Sequence, residues 1–390
     1  MACGAVSLYD ALLFFGAATG LFVIIYRIDL LFPDFMVFHA AGRAVLAGKA
    51  DIVYDTAALT HLQNTLYADR LPFELGFRPF LYPPLWLLAV LPFGWLPLSA
   101  AAATFLASSI AAASASMRAS GLGWPAIAAI LTGPAALWVI IGGQNTFLSL
   151  ALLYGGLALI ERRPVPAGVL LGLLAYKPQL FVLIPLALLC ARAWRALATL
   201  IVTVVVFALA TMVMLGPDLW VSFLESAREA ASPSAAAEMY DRVGNHMVTL
   251  LAAAKTLGVA NAAAATMQLA GSLLAAAAVG WVFFRYQPSH ARTAVLVAVT
   301  MLVLPYTLNY DLLILMPAVA LIFLYPPSTG YLPAERVLLF AVWLLPHLCL
   351  ELNAAGVPVG PPVILLFGAV AWARLRAAAK VELREPGGAR

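Results

Sequence analysis

Two charged side chains stand where charge is costly. Asp34 lies in FPDFMVFHAAGRAVLAG, directly after a long apolar run. Pro33 stops a helix there, and the period of Phe35, Phe38 and Ala41 predicts an amphipathic helix along the outer interface with Asp34 at its N-terminal cap. Capping accounts for this Asp on local sequence; the sharper reading is a carboxylate at the boundary of water and lipid that takes a proton from a hydroxyl. Lys177 lies in LLAYKPQLFVLIPLALL, in the middle of the apolar run 165–191. Such a lysine snorkels to an interface, or pairs with a carboxylate such as Asp311, or binds a ligand. Pro178 breaks the helix just behind it, which leaves the ammonium beside unsatisfied backbone donors. A phosphate headgroup suits that corner, and Gln179 adds a neutral hydrogen bond.

Other positions carry less by themselves. RPFLYPPLW, Arg78 to Trp86, puts an arginine and Tyr82 where an outer loop re-enters the membrane, which fits headgroup contact or an aromatic belt. GGQN, Gly142 to Asn145, is a polar turn between apolar runs, and its Gln144 and Asn145 serve a hairpin or a ligand. PYTLNYD places Tyr310 and Asp311 at an outer helix start, where capping competes with catalysis. The five histidines show no two at ligand spacing, so no protein-built metal site is expected. Cys3, Cys190 and Cys349 spell out neither a disulfide framework nor a thiolate site. No Gly-rich phosphate loop or Walker motif is present. A carboxylate base and a phosphate-binding cation open to lipid together suit group transfer from a lipid phosphate.

The elements that must hold these residues are membrane helices. Of 390 residues 64% are hydrophobic and 10% charged, against about 25% charged in an average soluble domain. The net charge is only +4, which argues against nucleic acid as a partner. Apolar runs cover roughly 8–31, 82–117, 124–142, 146–160, 165–191, 196–215, 260–284, 293–306, 311–325, 336–350 and 360–373. Several approach the roughly 20 residues needed to cross the hydrocarbon core. This predicts an all-α polytopic membrane protein of about ten to thirteen spanning or half-spanning helices. The N-terminal run lacks a basic leader and reads as an uncleaved first helix. The basic turns at 161–163, 191–195 and 285–292 and the basic tail belong on the cytoplasmic side. That orientation places the site on the outer face, in the periplasm or exterior of a bacterial inner membrane. Lys177 then marks the fold-back of two half-length helices, and the Pro-broken segment after Tyr82 is the expected re-entrant or interfacial piece. The chain divides into a first helix (1–31), an outer loop with interfacial helices (32–81), core membrane helices (82–215), a second outer loop (216–247), C-terminal membrane helices (248–376) and a cytoplasmic tail (377–390).

The blocks DFMVFHAAGRAVLAG, VYD, FLYPPLWLLAVLPFGWLP, GGQNTFLSLALL, AGVLLGLLAYKPQLFVLIPLALL, GPDLWVSFL and PYTLNYDLLILMPAVAL resemble, in order, glycosyltransferase family 87 of the GT-C superfamily. The resemblance implies a GT-C-type helical bundle and a sugar taken from a polyprenyl-phosphate donor, mannose in the best-known members. The acceptor would be a glycolipid or glycan on the outer membrane face. It implies Asp34 as the catalytic carboxylate and Lys177 as a donor-phosphate contact. Chemistry of that kind would have Lys177, helped by Arg78, Gln144 or Gln179, neutralise the leaving phosphate while Asp34 acts as base on the opposite side, giving an inverted, α-linked product. Arg43, Asp55, Tyr82, Asn145, His246, Tyr310 and Asp311 fall in matching blocks or loops and become candidates for sugar or acceptor contacts. No cofactor beyond the lipid-linked sugar is expected. A single Asp stands where relatives carry an adjacent acidic pair, and NYD replaces a His-containing version, so metal dependence stays open. The competing reading is a lipid-linked-sugar flippase or secondary transporter, which predicts charges lining a pathway and two matched halves; a structural partner in an envelope complex would not need the Lys177 corner.

Overall fold

A computed structural model describes residues 32–382 apart from 72, 231, 328 and 329; the expected first helix and the end of the tail lie outside the described residues. The chain is helical, and the described residues contain no β-strand, Met247 and Leu308 forming an isolated bridge. The helices are α1 (Pro33–Leu46), α2 (Thr56–Leu66), α3 (Leu85–Val90), α4 (Leu98–Ala119), α5 (Trp124–Thr132), α6 (Pro134–Gly142), α7 (Thr146–Leu159), α8 (Pro164–Leu173), α9 (Pro178–Phe181), α10 (Ile184–Cys190), α11 (Trp194–Leu215), α12 (Asp218–Ala230), α13 (Pro233–Val243), α14 (Leu250–Thr256), α15 (Asn261–Arg285), α16 (His290–Val303), α17 (Met316–Leu324), α18 (Glu335–Ala354) and α19 (Gly360–Glu382).

Among the described residues five helices, α4, α11, α15, α18 and α19, are long and apolar enough to cross a membrane, and α5 with α6 makes a sixth span bent by 57°. Shorter apolar helices fill the space between them, so the protein is a polytopic membrane helical bundle. Prolines set many of the boundaries. Pro33, Pro125, Pro134, Pro164, Pro178, Pro185 and Pro317 all stand in the first positions of helices, where their missing N–H is one that no intrahelical carbonyl would accept. The run 124–142 was expected to be continuous, but Gly133–Pro134 divides it. A Cβ at Gly133 would lie 2.9 Å from the Trp343 ring, so the bend is packed against α18.

Helix α1 departs from the expected amphipathic interfacial helix. Residues 35–42 and Ala44 are all buried. The reason is the segment after Tyr82, where α3 and a 3₁₀ turn at Leu91–Trp95 lie directly across α1. The crossing is glycine on glycine: a Cβ at Gly94 would meet the Gly42 carbonyl carbon at 2.9 Å. On the same helix the two His39 ring nitrogens bond the Tyr67 hydroxyl at 2.8 Å and the Leu96 carbonyl at 2.9 Å.

The segment 164–190 turns back on itself. Gly168 lies against Ala196 and Gly172 against Leu200 and Thr203, so α8 runs parallel to α11. Because α10 ends at Cys190 and α11 begins at Trp194, the chain must have returned to the end of the bundle from which α8 started. Lys177, non-helical at φ −123° and ψ 81°, is the tip of this re-entrant hairpin. At the opposite end Arg374 of α19 donates through Nε to Glu335 at 2.8 Å and through Nη1 to the carbonyls of Ile322 and Tyr325. This buried pair closes α17 and α18 onto α19.

The α8–α11 contact leaves no room for a methyl group, since a Cβ at Gly168 would stand 2.4 Å from the Ala196 carbonyl oxygen. Gly168→Ala must therefore push the helix backbones away from each other, at a cost of about 1–3 kcal/mol. The expected result is a lower unfolding temperature in detergent, read by size-exclusion chromatography after heating; an unchanged midpoint would contradict this packing.

Candidate active site

The site is assembled around the turn between α6 and α7. Gly143 ends α6 in the left-handed region at φ +68°. The Gln144 N–H then donates to the Val139 carbonyl at 2.9 Å, closing the helix end. No larger side chain fits this path: a Cβ on Gly143 would meet the Phe35 Cβ at 2.6 Å, and one on Gly142 would lie 3.1 Å from Asp34 Oδ2. The turn therefore rides on the first turn of α1, and the Phe32 N–H donates to the Ile141 carbonyl at 2.7 Å.

The two amides of the turn face different partners. Gln144 Nε2 donates to Asp34 Oδ2 at 2.9 Å, and Gln144 Oε1 accepts from the Tyr82 hydroxyl at 3.4 Å. Asn145 Oδ1 accepts from Lys177 Nζ at 3.0 Å. Asp34 does not cap α1; its other oxygen takes a 3.5 Å contact from Arg78 Nη1. Both are half-buried, with side-chain exposures of 30% for Asp34 and 35% for Arg78. The buried part of its surroundings holds the Asp34 carboxyl above the usual carboxylate range. The Gln144 hydrogen bond and the charges of Arg78 and His246 draw it some of the way back.

Lys177 takes a different position from the one expected of a phosphate ligand. It is fully buried, and Nζ donates to Asp311 Oδ1 at 2.5 Å, to Asn145 Oδ1 and to Thr146 Oγ1 at 3.4 Å. An ammonium has three hydrogens, and these three acceptors use them all. Nζ also lies 5.7 Å from the centre of the Tyr310 ring. Asp311 in turn accepts from Thr146 Oγ1 at 3.2 Å and from the Leu308 N–H at 3.5 Å. Of the alternatives open to this lysine, the structure shows the pairing with Asp311. Arg78 is the half-exposed cation beside Asp34.

One polar chain thus runs from Arg78 through Asp34, Gln144, Asn145 and Lys177 to Asp311, with Tyr82 at its side. Tyr82 belongs to an aromatic wall in which Trp86 stacks on Tyr176 at 4.5 Å. The charge of His246 reaches Asp34, and its ring packs edge-on against Trp138. Three candidates stay apart. Asp55 caps α2 by accepting from the Ala58 N–H at 3.0 Å, Arg43 is exposed in the last turn of α1, and half-buried Gln179 makes no side-chain hydrogen bond among the described residues. Thr146 and Tyr176 join the site without a chemical signature of their own in the sequence. Thr146 directly follows GGQN and Tyr176 directly precedes Lys177, so adjacency was the available signal. Asn145 Nδ2 is buried beside the Tyr82 hydroxyl but makes no hydrogen bond of normal geometry among the described residues, a donor placed beside the chain. No three His, Cys, Asp or Glu side chains among the described residues converge as metal ligands.

Removing one member of a buried ion pair strands the other, at about 3–5 kcal/mol. Lys177→Met should therefore lower thermal stability sharply, and Lys177→Met with Asp311→Leu should recover some of the loss. Additive single effects in this double-mutant cycle would show that the two side chains are not coupled.

Comparison with known proteins agrees with this architecture. The polyprenol-phosphate-mannose-dependent alpha-(1-2)-phosphatidylinositol mannoside mannosyltransferase of Mycobacterium tuberculosis (strain ATCC 25618 / H37Rv) is 26% identical to this chain over 325 residues, which is 76% of this chain and 70% of that protein. No solved structure matches the chain. Residues 80–305 match glycosyltransferase family 87. That stretch contains Tyr82, the Gly142–Asn145 turn, the whole re-entrant hairpin and more than half of the sequence, and the chain belongs to glycosyltransferase family 87.

Proposed function

We propose that this membrane glycosyltransferase moves a sugar, mannose in the first instance, from a polyprenyl-phosphate donor to a hydroxyl of a glycolipid or glycan acceptor. The observation that carries the reading is the Asp34 carboxylate. It sits at a solvent-reaching edge of the polar chain, is oriented by Gln144, and has a proton affinity raised by burial. A base is most effective when its pKa approaches the working pH, and burial moves this carboxyl in that direction. Asp34 takes the proton of the acceptor hydroxyl as its oxygen bonds the anomeric carbon. The bond from that carbon to the phosphate oxygen breaks on the opposite face, and polyprenyl phosphate leaves as the anion. The sugar inverts, so a β-linked donor yields an α-linked product.

Arg78 is the cation assigned to the leaving phosphate. It engages Asp34 through one nitrogen and keeps its other guanidinium N–H groups for a ligand. Lys177 holds the Gly142–Asn145 turn in place through Asn145 and Asp311, and Asn145 Nδ2 supplies a neutral donor to the sugar or phosphate. The name of the mycobacterial relative supports a polyprenyl-phosphate donor and a glycolipid acceptor. The basic turns of the sequence support an orientation in which the site faces away from the cytoplasm, toward the periplasm or exterior if the membrane is a bacterial inner membrane. The transporter reading draws no support from the charges at depth, because Lys177 and Asp311 bond each other instead of lining a path.

The test is purified protein supplied with polyprenyl-phosphate mannose and a membrane lipid extract. Release of polyprenyl phosphate with formation of an α-linked product is the expected result, whereas movement of the sugar-lipid without cleavage would make the protein a flippase. Asp34→Asn should cut the rate by about a hundredfold to ten-thousandfold while donor binding persists; near-normal turnover would remove Asp34 from the role. Activity requires the carboxylate, so the rate should fall as pH drops through the Asp34 pKa. Arg78→Gln deletes a charge that lowers this pKa. Its acid limb should therefore move to higher pH, and a limb that stays put would detach Asp34 from the profile.

A further inference from the structure

Between α15, α16 and α19 the bundle leaves an open groove of about 370 Å³, whose walls include Ala298, Leu302, Ile364, Gly368 and Trp372, with Arg376 at one end. Gly368 lines the groove; a Cβ there would make ordinary contact with the Ala298 Cβ at 3.5 Å, so only a longer side chain at this position would reach into the groove. Its direction is fixed by the start of α19. Gly360 packs on Val248, whose N–H donates to the Thr307 carbonyl at 3.0 Å, next to the segment that carries Asp311. Helix α19 therefore runs away from the site, and Arg376 lies at the other end of the bundle, toward the Arg285–Arg292 turn.

Three features point to one kind of occupant. From Ile364 to Arg376 the helix rises roughly 18 Å at 1.5 Å per residue, close to the depth of one leaflet, about half of a 30 Å hydrocarbon core. The lining is apolar down to Trp372, a residue type that favours the level of the headgroups. At that level Arg376 is exposed and has no ion-pair partner among the described residues, and the exposed Arg285 ends α15. A polyprenyl donor is a poor fit, because its phosphate must reach Asp34 at the opposite end.

We propose that this groove binds one acyl chain of an anionic phospholipid from the leaflet on the Arg285–Arg292 side, with the lipid phosphate on Arg376. The full-length protein, stripped of lipid in detergent, is titrated with phosphatidylglycerol and phosphatidylcholine, and bound lipid is counted by native mass spectrometry. Wild type should prefer phosphatidylglycerol by about fivefold, the factor that one basic residue contributes near an anionic surface. Arg376→Gln, an exposed change that leaves folding intact, should bring the ratio near one. Gly368→Leu should fill the groove and remove both lipids. Equal retention of the two lipids by wild type, or undiminished phosphatidylglycerol in folded Gly368→Leu, would overturn the proposal. So would polyprenyl phosphate displacing phosphatidylglycerol in an Arg376-dependent way. Sugar transfer is not measured, so this outcome is separate from that of Asp34.

Discussion

The ion pair between Lys177 and Asp311 joins three segments that are far apart in the chain: the tip of the re-entrant hairpin, the turn between α6 and α7, and the 3₁₀ turn at Asn309–Leu315. Its geometry is saturated on the cation and nearly so on the anion, as a charge pair removed from water requires. A pair of leucines would bury as well, but it would not orient anything. The ammonium fixes Asn145 and Thr146 by direction as well as by contact, and this sets the path of the two glycines before them. Gln144 then has one place to send its amide, toward Asp34. The half-buried carboxylate is thus aimed by a fully buried charge that no substrate need touch.

This division of labour explains why two cations near one site have different surroundings. Arg78 sits on an irregular segment, held by its backbone through the Thr60 hydroxyl and the Gln63 amide, with its guanidinium left half-exposed. Lys177 sits at a helix break and has no free hydrogen. Arginine keeps donors in reserve after one contact because it carries five; lysine, with three, is used up by the scaffold. The number of donors on each side chain and the acceptors around it, more than charge, decide which of the two can meet an incoming phosphate.

Much of this was legible in the sequence because lipid imposes strict rules. Apolar runs gave the helices, Pro178 gave the break at Lys177, and the coincidence of rare polar residues in Asp34, Gln144, Asn145, Lys177 and Asp311 picked out residues that do meet. What the sequence left undecided was partner choice. Lys177 beside Pro178 reads the same whether the ammonium faces a ligand or an aspartate 134 residues away. Burial of α1 was likewise hidden, because it depends on Gly42 meeting Gly94 across a crossing that no periodicity announces. The bend at Gly133 was masked by an apolar run that looks continuous in composition, although the Gly-Pro pair carried the signal.

The placement of polar residues follows from a more general constraint. Backbone groups outside helices have no partner in hydrocarbon, so irregular segments at depth must be satisfied by protein. At the end of the bundle that carries Asp34 this need is concentrated: the turn at 142–145, the hairpin tip and the extended stretch 304–308 all lie there. Several backbone groups at this end are met by a side-chain amide or by another irregular stretch of chain. Asn353 Nδ2 donates to the carbonyls of Asn245 and Met247, Asn309 Nδ2 to that of Pro346, and the Val248 N–H to that of Thr307. These asparagines are therefore required by the loss of helix, and the loss of helix is what brings Asp34, Gln144 and Asn145 to one surface. A site of this kind cannot be built from straight spans, since unbroken helices would turn the same residues toward lipid or into the core. The buried polar network and the open carboxylate are two consequences of breaking helices at one end of the bundle.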